Sequence, residues 1–86
     1  MGNNLNKPLK VGATIGIIGG GQLGRMLVMS GKKMGFQMIV LDPTLNSPAG
    51  QVADRQIVAA FDQTSALTEL AELCDVITYE FENIEV

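Results

Sequence analysis

The sequence predicts an α/β domain in which a parallel sheet lies between two layers of helix, with the element order β-α-β-β-α-β. Three observations predict this class. Short apolar runs rich in β-branched residues alternate with stretches of helical spacing. A glycine-rich turn joins the first apolar run to the first helical stretch. The chain has 86 residues, which is enough for one small three-layer domain or a part of one.

The first strand and the turn after it carry the strongest signal. Residues 14–18 are apolar on both faces, as in a buried parallel strand, and residues 19–24 match the pattern G-x-G-x-x-G. We expect Gly19 to permit the tight turn, Gly21 to let a ligand approach the backbone, and Gly24 to let the helix pack on the strand. The helix start then offers backbone amides to an anion such as phosphate. A packing turn without a ligand is the alternative.

The next elements follow from periodicity and from residues that break regular structure. A first helix is predicted over residues 22–34, where leucines and methionines recur at helical spacing and Gly35 supplies a stop. A second strand over residues 36–41 ends at Asp42. Prolines, Asn and Gly make residues 44–54 a loop, which we expect to be among the most mobile parts of the chain.

The second half repeats the alternation of strand and helix. A third strand over residues 56–60 precedes a helix of about three turns, marked by apolar residues at i, i+3, i+4 and i+7 from Leu67. A fourth strand is predicted over residues 75–79. The carboxyl ends of parallel strands meet at one edge of a sheet. That edge is therefore expected to combine the glycine turn with four carboxylates, those of Asp42, Asp62, Glu80 and Glu82.

Composition excludes several classes of function. The net charge of −3 argues against a nucleic-acid partner, which requires a basic face. The absence of histidine removes Ser-His and Cys-His nucleophile pairs, and we expect the lone Cys74 to be a small buried hydrophobe. No apolar run approaches the roughly 18 residues of a membrane span, and residues 1–12 read as a polar leader without a signal core. A cytoplasmic protein is the resulting expectation.

A dinucleotide-binding domain is one interpretation of the glycine turn. Asp42 lies 18 positions after Gly24, where such a domain has an acid for a ribose hydroxyl. The predicted sheet has only four strands, however, and the proline-rich loop and the acidic run after the fourth strand have no role in that interpretation. The amino-terminal part of an NAD-dependent oxidoreductase therefore stands as one alternative, and a stand-alone nucleotide-sensing or interaction module without catalysis is another.

Four blocks of sequence are similar, in order and spacing, to a known family. They read Gly-Gly-Gly-Gln-Leu-Gly-Arg-Met at 19–26, Asp-Pro at 42–43, Ser-Pro-Ala-Gly-Gln-Val-Ala-Asp at 47–54 and Thr-Tyr-Glu-Phe-Glu-Asn-Ile at 78–84. Residues 13–86 thereby resemble the amino-terminal, Rossmann-like pre-ATP-grasp domain of the 5-(carboxyamino)imidazole ribonucleotide synthases, the PurK family. The resemblance implies an ATP-grasp ligase of purine biosynthesis that carboxylates aminoimidazole ribonucleotide with bicarbonate, using ATP and magnesium.

The resemblance also implies roles for individual residues. Gly21, Gln22 and Leu23 in the turn would contact the ribonucleotide, and Glu82 would accept a hydrogen bond from its amine or from a ribose hydroxyl. Asp42 is a further candidate for the substrate site, although Asp-Pro is also a common start of a turn. A solvated loop acid is the alternative for Glu82.

Two neighbouring charged residues leave further alternatives open. Glu80 competes with Glu82 as the acid that faces the ligand. Arg25 is either a phosphate contact or an outward, solvated charge.

The resemblance finally implies what this chain lacks. The ATP-binding lysines and magnesium carboxylates of the family lie beyond the fourth strand, so we expect no catalytic, cofactor-binding or metal-binding residue here. We also expect no ligase activity from the chain alone, as for a truncated part of the enzyme. Surface that the missing parts would cover is expected to favour a homodimer.

Overall fold

The computed structural model describes residues 12–80, so the predicted leader lies almost wholly outside the described residues, as does Glu82. The elements alternate as the sequence predicts, and the fold class α/β is confirmed. In chain order they are β1 (Thr14–Ile18), α1 (Gln22–Lys33), β2 (Gln37–Asp42), β3 (Arg55–Val58), α2 (Thr64–Leu73) and β4 (Val76–Tyr79).

The strands form one parallel sheet in the order β3-β2-β1-β4. In the register of the sheet, Ile18 at the end of β1 pairs with Leu41 of β2 and Tyr79 of β4. All four strands therefore end at the same edge. Because β1 has a neighbour on each side, the glycine turn leaves the sheet at the middle of that edge.

A separate core lies on each face of the sheet. The α2 face buries Ile18, Ile39, Leu41, Ile57, Ala66 and Leu70. The α1 face buries Ile17, Val28, Met38, Val40 and Ala49. Alternate residues of β1 and β2 thus supply both cores, which is why these strands read as apolar on both faces. Complete burial of a large side chain in either core contributes roughly 1.5–3 kcal/mol.

Element boundaries differ from the predicted ones by one or two residues. Helix α1 ends at Lys33, and Gly35 adopts a φ of 94°, which confirms its role as the stop. Strand β3 ends at Val58 rather than at residue 60. The reason lies in the length of β2, which ends at Asp42. The amide of Ala59 makes a long hydrogen bond of 3.4 Å to the Asp42 carbonyl, and beyond it β3 has no residue of β2 to pair with.

Cys74 follows the last residue of α2 and packs against the core on the α2 face of the sheet. A Cβ built on Gly16 would lie 2.7 Å from the Cys74 Sγ and 3.1 Å from Leu70 Cδ1, so glycine at this position lets the end of α2 approach β1. Burial, and secondarily the neighbouring Asp75 carboxylate, raises the pKa of the Cys74 thiol. A thiol that resists ionisation is a poor nucleophile. Cys74 therefore packs against the α2-side core as expected of a small hydrophobe, although it is half-buried and not fully buried.

Candidate functional site

The turn between β1 and α1 owes its shape to two of its glycines. Gly19 adopts a φ of 116°, which residues with a side chain rarely adopt, and its amide donates to the carbonyl of Leu41 at 3.0 Å. A Cβ on Gly24 would lie 2.5 Å from the Gly19 carbonyl oxygen. These two glycines therefore have the roles that the sequence predicts, a tight turn and close packing of the helix.

The start of α1 presents backbone amides toward the carboxyl edge of the sheet. Gly21 is the residue before the helix. The first hydrogen bond along the helix runs from the amide of Arg25 to the carbonyl of Gly21 at 2.9 Å. Within the described residues, no side chain caps this end and the first turn contains no acid. Amides that precede the first helical bond have no acceptor inside the helix. With the positive end of the helix dipole, they make this end suited to an anion.

Gly21 itself has an ordinary extended backbone, with φ −75° and ψ −160°. Any residue can adopt this conformation. Geometry alone therefore does not require glycine there, unlike at Gly19. The expected reason for a glycine, close approach of a ligand, stays a prediction.

Asp42 lies at the end of β2, directly beside the turn. Its Oδ2 accepts a hydrogen bond from the amide of Gly20 at 2.7 Å, and its Oδ1 accepts one from the amide of Thr44 at 2.8 Å. The carboxylate thus joins the glycine turn to the loop that follows β2. An ionised carboxylate has about four acceptor sites, so two remain for a ligand. The role of Asp42 as a ligand contact stays a prediction, and its structural role is an addition to it.

The loop over residues 43–54 is packed against the turn, an order that the sequence analysis did not predict, and its expected mobility stays a prediction. Ser47 and Ala49 are buried, and the amide of Ala49 donates to the Gly20 carbonyl at 2.9 Å. A Cβ on Gly20 would overlap the Ser47 hydroxyl and lie 2.8 Å from the Ser47 Cβ. The backbone amide of Gly20 is held by Asp42 and its carbonyl by Ala49, so both polar groups of this residue bond to residues 42–49. Proline and glycine make this loop irregular in shape, but burial and hydrogen bonds fix it.

Arg25 holds the same loop from the side of α1. Its Nη1 donates to the Pro48 carbonyl at 3.1 Å and approaches Gln51 Oε1 at 3.4 Å. The guanidinium is therefore not the outward, solvated charge that one of the two expectations describes, and its role as a phosphate contact stays a prediction. Helical spacing correctly places Arg25 off the apolar stripe. Spacing along one helix cannot predict that the loop after β2 packs beside this side chain.

The acidic residues are unevenly placed relative to the turn. Glu80 follows β4 and its amide donates to the carbonyl of Ile18 at 2.8 Å, immediately before the turn. Asp62 follows β3, which is separated from β1 by β2, and it is exposed. Glu82 lies outside the described residues. The structure thus brings together the turn, Asp42 and the backbone of Glu80, and leaves Asp62 apart from them.

Sequence reasoning missed Gln56, a half-buried residue of β3 whose side chain is bonded to Asp42, Thr44 and Ser47, at the start of the loop. No motif contains it. Its one available signal was a polar residue at an inward position: Gln56 pairs in register with the fully buried Val40. Neither helix of the described part has the length needed to cross a bilayer.

Comparison with known proteins gives relatives over nearly the whole chain. The N5-carboxyaminoimidazole ribonucleotide synthase of Brucella melitensis is 63% identical over 78 residues, which is 91% of this chain and 22% of the relative. The Bacillus subtilis enzyme of the same name is 57% identical over 86% of this chain and 20% of its own. This chain therefore spans about a fifth of the length of the curated relatives it matches.

Solved structures agree with these relatives. The Staphylococcus aureus N5-carboxyaminoimidazole synthetase complexed with ADP is 57% identical, with a TM-score of 0.83 over 90% of this chain and 21% of that one. The Aspergillus clavatus enzyme in complex with ADP and 5-aminoimidazole ribonucleotide is 42% identical, with a TM-score of 0.74 over 87% of this chain and 20% of that one. The family model of the ribonucleotide synthetase pre-ATP-grasp domain matches residues 12–86. The chain belongs to this ribonucleotide synthetase pre-ATP-grasp family and has its Rossmann-like fold.

Proposed function

We propose that this chain is the ribonucleotide-binding, amino-terminal part of an ATP-dependent ligase that carboxylates 5-aminoimidazole ribonucleotide with bicarbonate in purine biosynthesis. The observation that carries the proposal is the position of the start of α1, which the turn at Gly19–Gly21 places at the carboxyl edge of the sheet. Family membership supports it, as does the Aspergillus clavatus relative, whose solved complex contains this ribonucleotide.

Gly21, Gln22 and Leu23 contact the ribonucleotide in this proposal. Their amides begin the helix and stand at the positive end of its dipole, which favours the phosphate. Asp42 uses its remaining acceptor sites for a hydroxyl of the ligand.

Glu82 accepts a hydrogen bond from the ligand amine or from a ribose hydroxyl. Support for this role comes from Glu80, two positions earlier, whose amide is bonded beside the end of β1. A carboxylate placed away from the phosphate end would suit the amine-bearing ring.

ATP and magnesium bind to parts of the full-length enzyme outside this chain. Among residues 12–80 no cluster of three or more Asp, Glu, Cys or His side chains could hold a metal ion. ADP occurs in the solved complexes of the relatives named above. We further propose that the protein is cytoplasmic and forms a homodimer, which light scattering at high concentration would test.

The alternative, an NAD-dependent oxidoreductase, is not supported. The relatives compared above are named as N5-carboxyaminoimidazole ribonucleotide synthases or synthetases and not as NAD enzymes. The turn is compatible with a ribonucleotide phosphate.

The proposal is tested by titrating the ¹⁵N-labelled chain with 5-aminoimidazole ribonucleotide and, in parallel, with NADH. We expect the amide resonances of Gly21, Gln22 and Leu23 to move with the ribonucleotide and to stay unchanged with NADH. The chain mixed with ATP, bicarbonate and the ribonucleotide should show no turnover. Shifts at these amides with NADH alone, or ligase activity of the isolated chain, would overturn the assignment.

A further inference from the structure

Gln56 occupies an unusual place for a polar side chain. It stands in β3 in register with Val40, on the face of the sheet that packs under α1. Its Nε2 donates to the carbonyls of Asp42 at 3.2 Å and Thr44 at 2.8 Å. Its Oε1 lies 3.3 Å from the Ser47 hydroxyl, which can donate to it. Both amide hydrogens and the amide oxygen therefore have partners in one short segment, residues 42–47.

Ser47 connects Gln56 to the glycine turn. Its side chain is only 1% exposed, and its Oγ also accepts a hydrogen bond from the amide of Gly50 at 3.0 Å. The same hydroxyl fills the space where Gly20 would carry a Cβ. A shift of Ser47 would therefore change the packing surface on which Gly20 lies.

Asp42 forms a second connection between Gln56 and the turn. Gln56 holds the backbone carbonyl of Asp42, and the Asp42 carboxylate holds the amide of Gly20 at 2.7 Å. The two routes converge on one residue, Gly20, which immediately precedes Gly21 and the start of α1. An inward-facing apolar residue at position 56 would pack against the sheet but would satisfy none of these groups.

We propose that Gln56 is a positioning residue for the ligand-binding turn. It holds residues 42–47 in the conformation that fixes the Gly20 peptide, and thereby orients the amides of Gly21, Gln22 and Leu23 toward the ribonucleotide. The inference rests on the proposed function, since that function supplies the ligand. Gln56 itself does not contact the ligand; it acts through Ser47 and Asp42.

The test compares Gln56→Glu with Gln63→Ala. The first change keeps the size of the side chain but places a carboxylate opposite the two carbonyls that Gln56 now bonds. The control removes another side-chain amide, one that donates to Ser65 at 3.2 Å near the start of α2. Hydrogen exchange of the ligand-free chain is measured at the amides of Gly20 and Ala49 and at the core amide of Val40.

In Gln56→Glu we expect Gly20 and Ala49 to lose about tenfold more protection than Val40, because the loop loosens before the core does. A purely structural role would lower all three by the same factor, and that result would overturn the proposal. The control, Gln63→Ala, should leave the ratio of protection at Gly20 and Ala49 to protection at Val40 unchanged. Should Gln56→Glu fail to fold, Ser47→Ala removes one of the two routes with a smaller change and is judged by the same ratio.

Titration with 5-aminoimidazole ribonucleotide provides the second readout. We expect Gln56→Glu to weaken binding about tenfold while the folded fraction stays complete, and Gln63→Ala to bind as the original chain does. Unchanged affinity in a folded Gln56→Glu chain with loosened Gly20 would refute the orienting role. Failure of the original chain to bind would count against the proposed function instead, whereas the exchange ratio would still decide whether Gln56 holds the turn.

Discussion

The two connections from strand to helix differ sharply, although both leave the same edge of the sheet. The β1–α1 turn and the β3–α2 connection, residues 59–63, each lead into a helix without a side-chain cap in the described part of the chain. Gly19 and Gly20 in the first are buried, and the Gly20 peptide is bonded on both sides. Residues 60–63 in the second are exposed.

The start of a helix thus does not make a binding site by itself. Every helix has amides without an intrahelical partner, and α2 offers them as α1 does. What distinguishes α1 is a turn held in one conformation by the loop over residues 43–54. A ligand that binds to fixed amides does not have to order them first, which lowers the cost of binding.

Gly20→Ala should have the largest effect and would break the packing of the first connection. The new methyl group would lie 2.8 Å from the Ser47 Cβ and 3.0 Å from the Asp42 Cβ. We expect a loss of about 2 kcal/mol in the free energy of unfolding, measured by urea denaturation. Ala60→Ser in the exposed connection serves as the control and should change stability by less than about 0.5 kcal/mol. Equal effects at the two positions would contradict the comparison.

Asp42→Ala should have the next largest effect. It leaves the amides of Gly20 and Thr44 without their acceptors, at a cost of about 1–2 kcal/mol. Asp62→Ala is the matched change after β3, where the side chain is exposed, and it should cost less than about 0.5 kcal/mol. Thermal unfolding of the two variants side by side makes the measurement, and a smaller loss at position 42 than at position 62 would be inconsistent with a braced turn.

New side-chain caps at the starts of α1 and α2 would separate the effect of each helix start on stability from its effect on ligand binding. Gln63→Ser gives α2 a side-chain cap and should stabilise the chain by about 1 kcal/mol without affecting the ribonucleotide. Gly21→Ser fits the extended backbone at that position and should add only a few tenths of a kcal/mol. In the second case the serine hydroxyl competes for the amides proposed to bind the ligand, so the titration should show weaker binding. Undiminished affinity in Gly21→Ser would argue against those amides as the binding groups.

Arg25→Ala should have the smallest effect. It removes the bond from α1 to the Pro48 carbonyl and should cost about 0.5–1 kcal/mol. The loop retains its bonds to Gly20 and Gln56, so we expect local hydrogen exchange to accelerate at Gln51 and the ligand affinity to change little. Loss of binding comparable to that in Gln56→Glu would show that Arg25 contacts the phosphate.

The sequence predicted those parts of the fold that depend on local pattern. Periodicity placed both helices and all four strands within about two residues, and Gly19, Gly24 and Gly35 occur where their backbone or packing requires them. The packing of the loop was not predicted because it comes from contacts distant in sequence, such as that between Gly20 and Ala49. Gln56 was missed for the same reason, since no local pattern links it to Ser47.

The filled space beside Gly20 has an evolutionary consequence. In this chain, position 20 admits no side chain because Ser47 and Asp42 already occupy the volume that one would need. A homologous protein with a larger residue there must therefore have shortened its counterpart of Ser47 or of Asp42, or must route the chain after β2 differently. Substitutions at these three positions should covary across an alignment, and a frequent large residue at position 20 beside unchanged partners would show that homologues build this corner in another way.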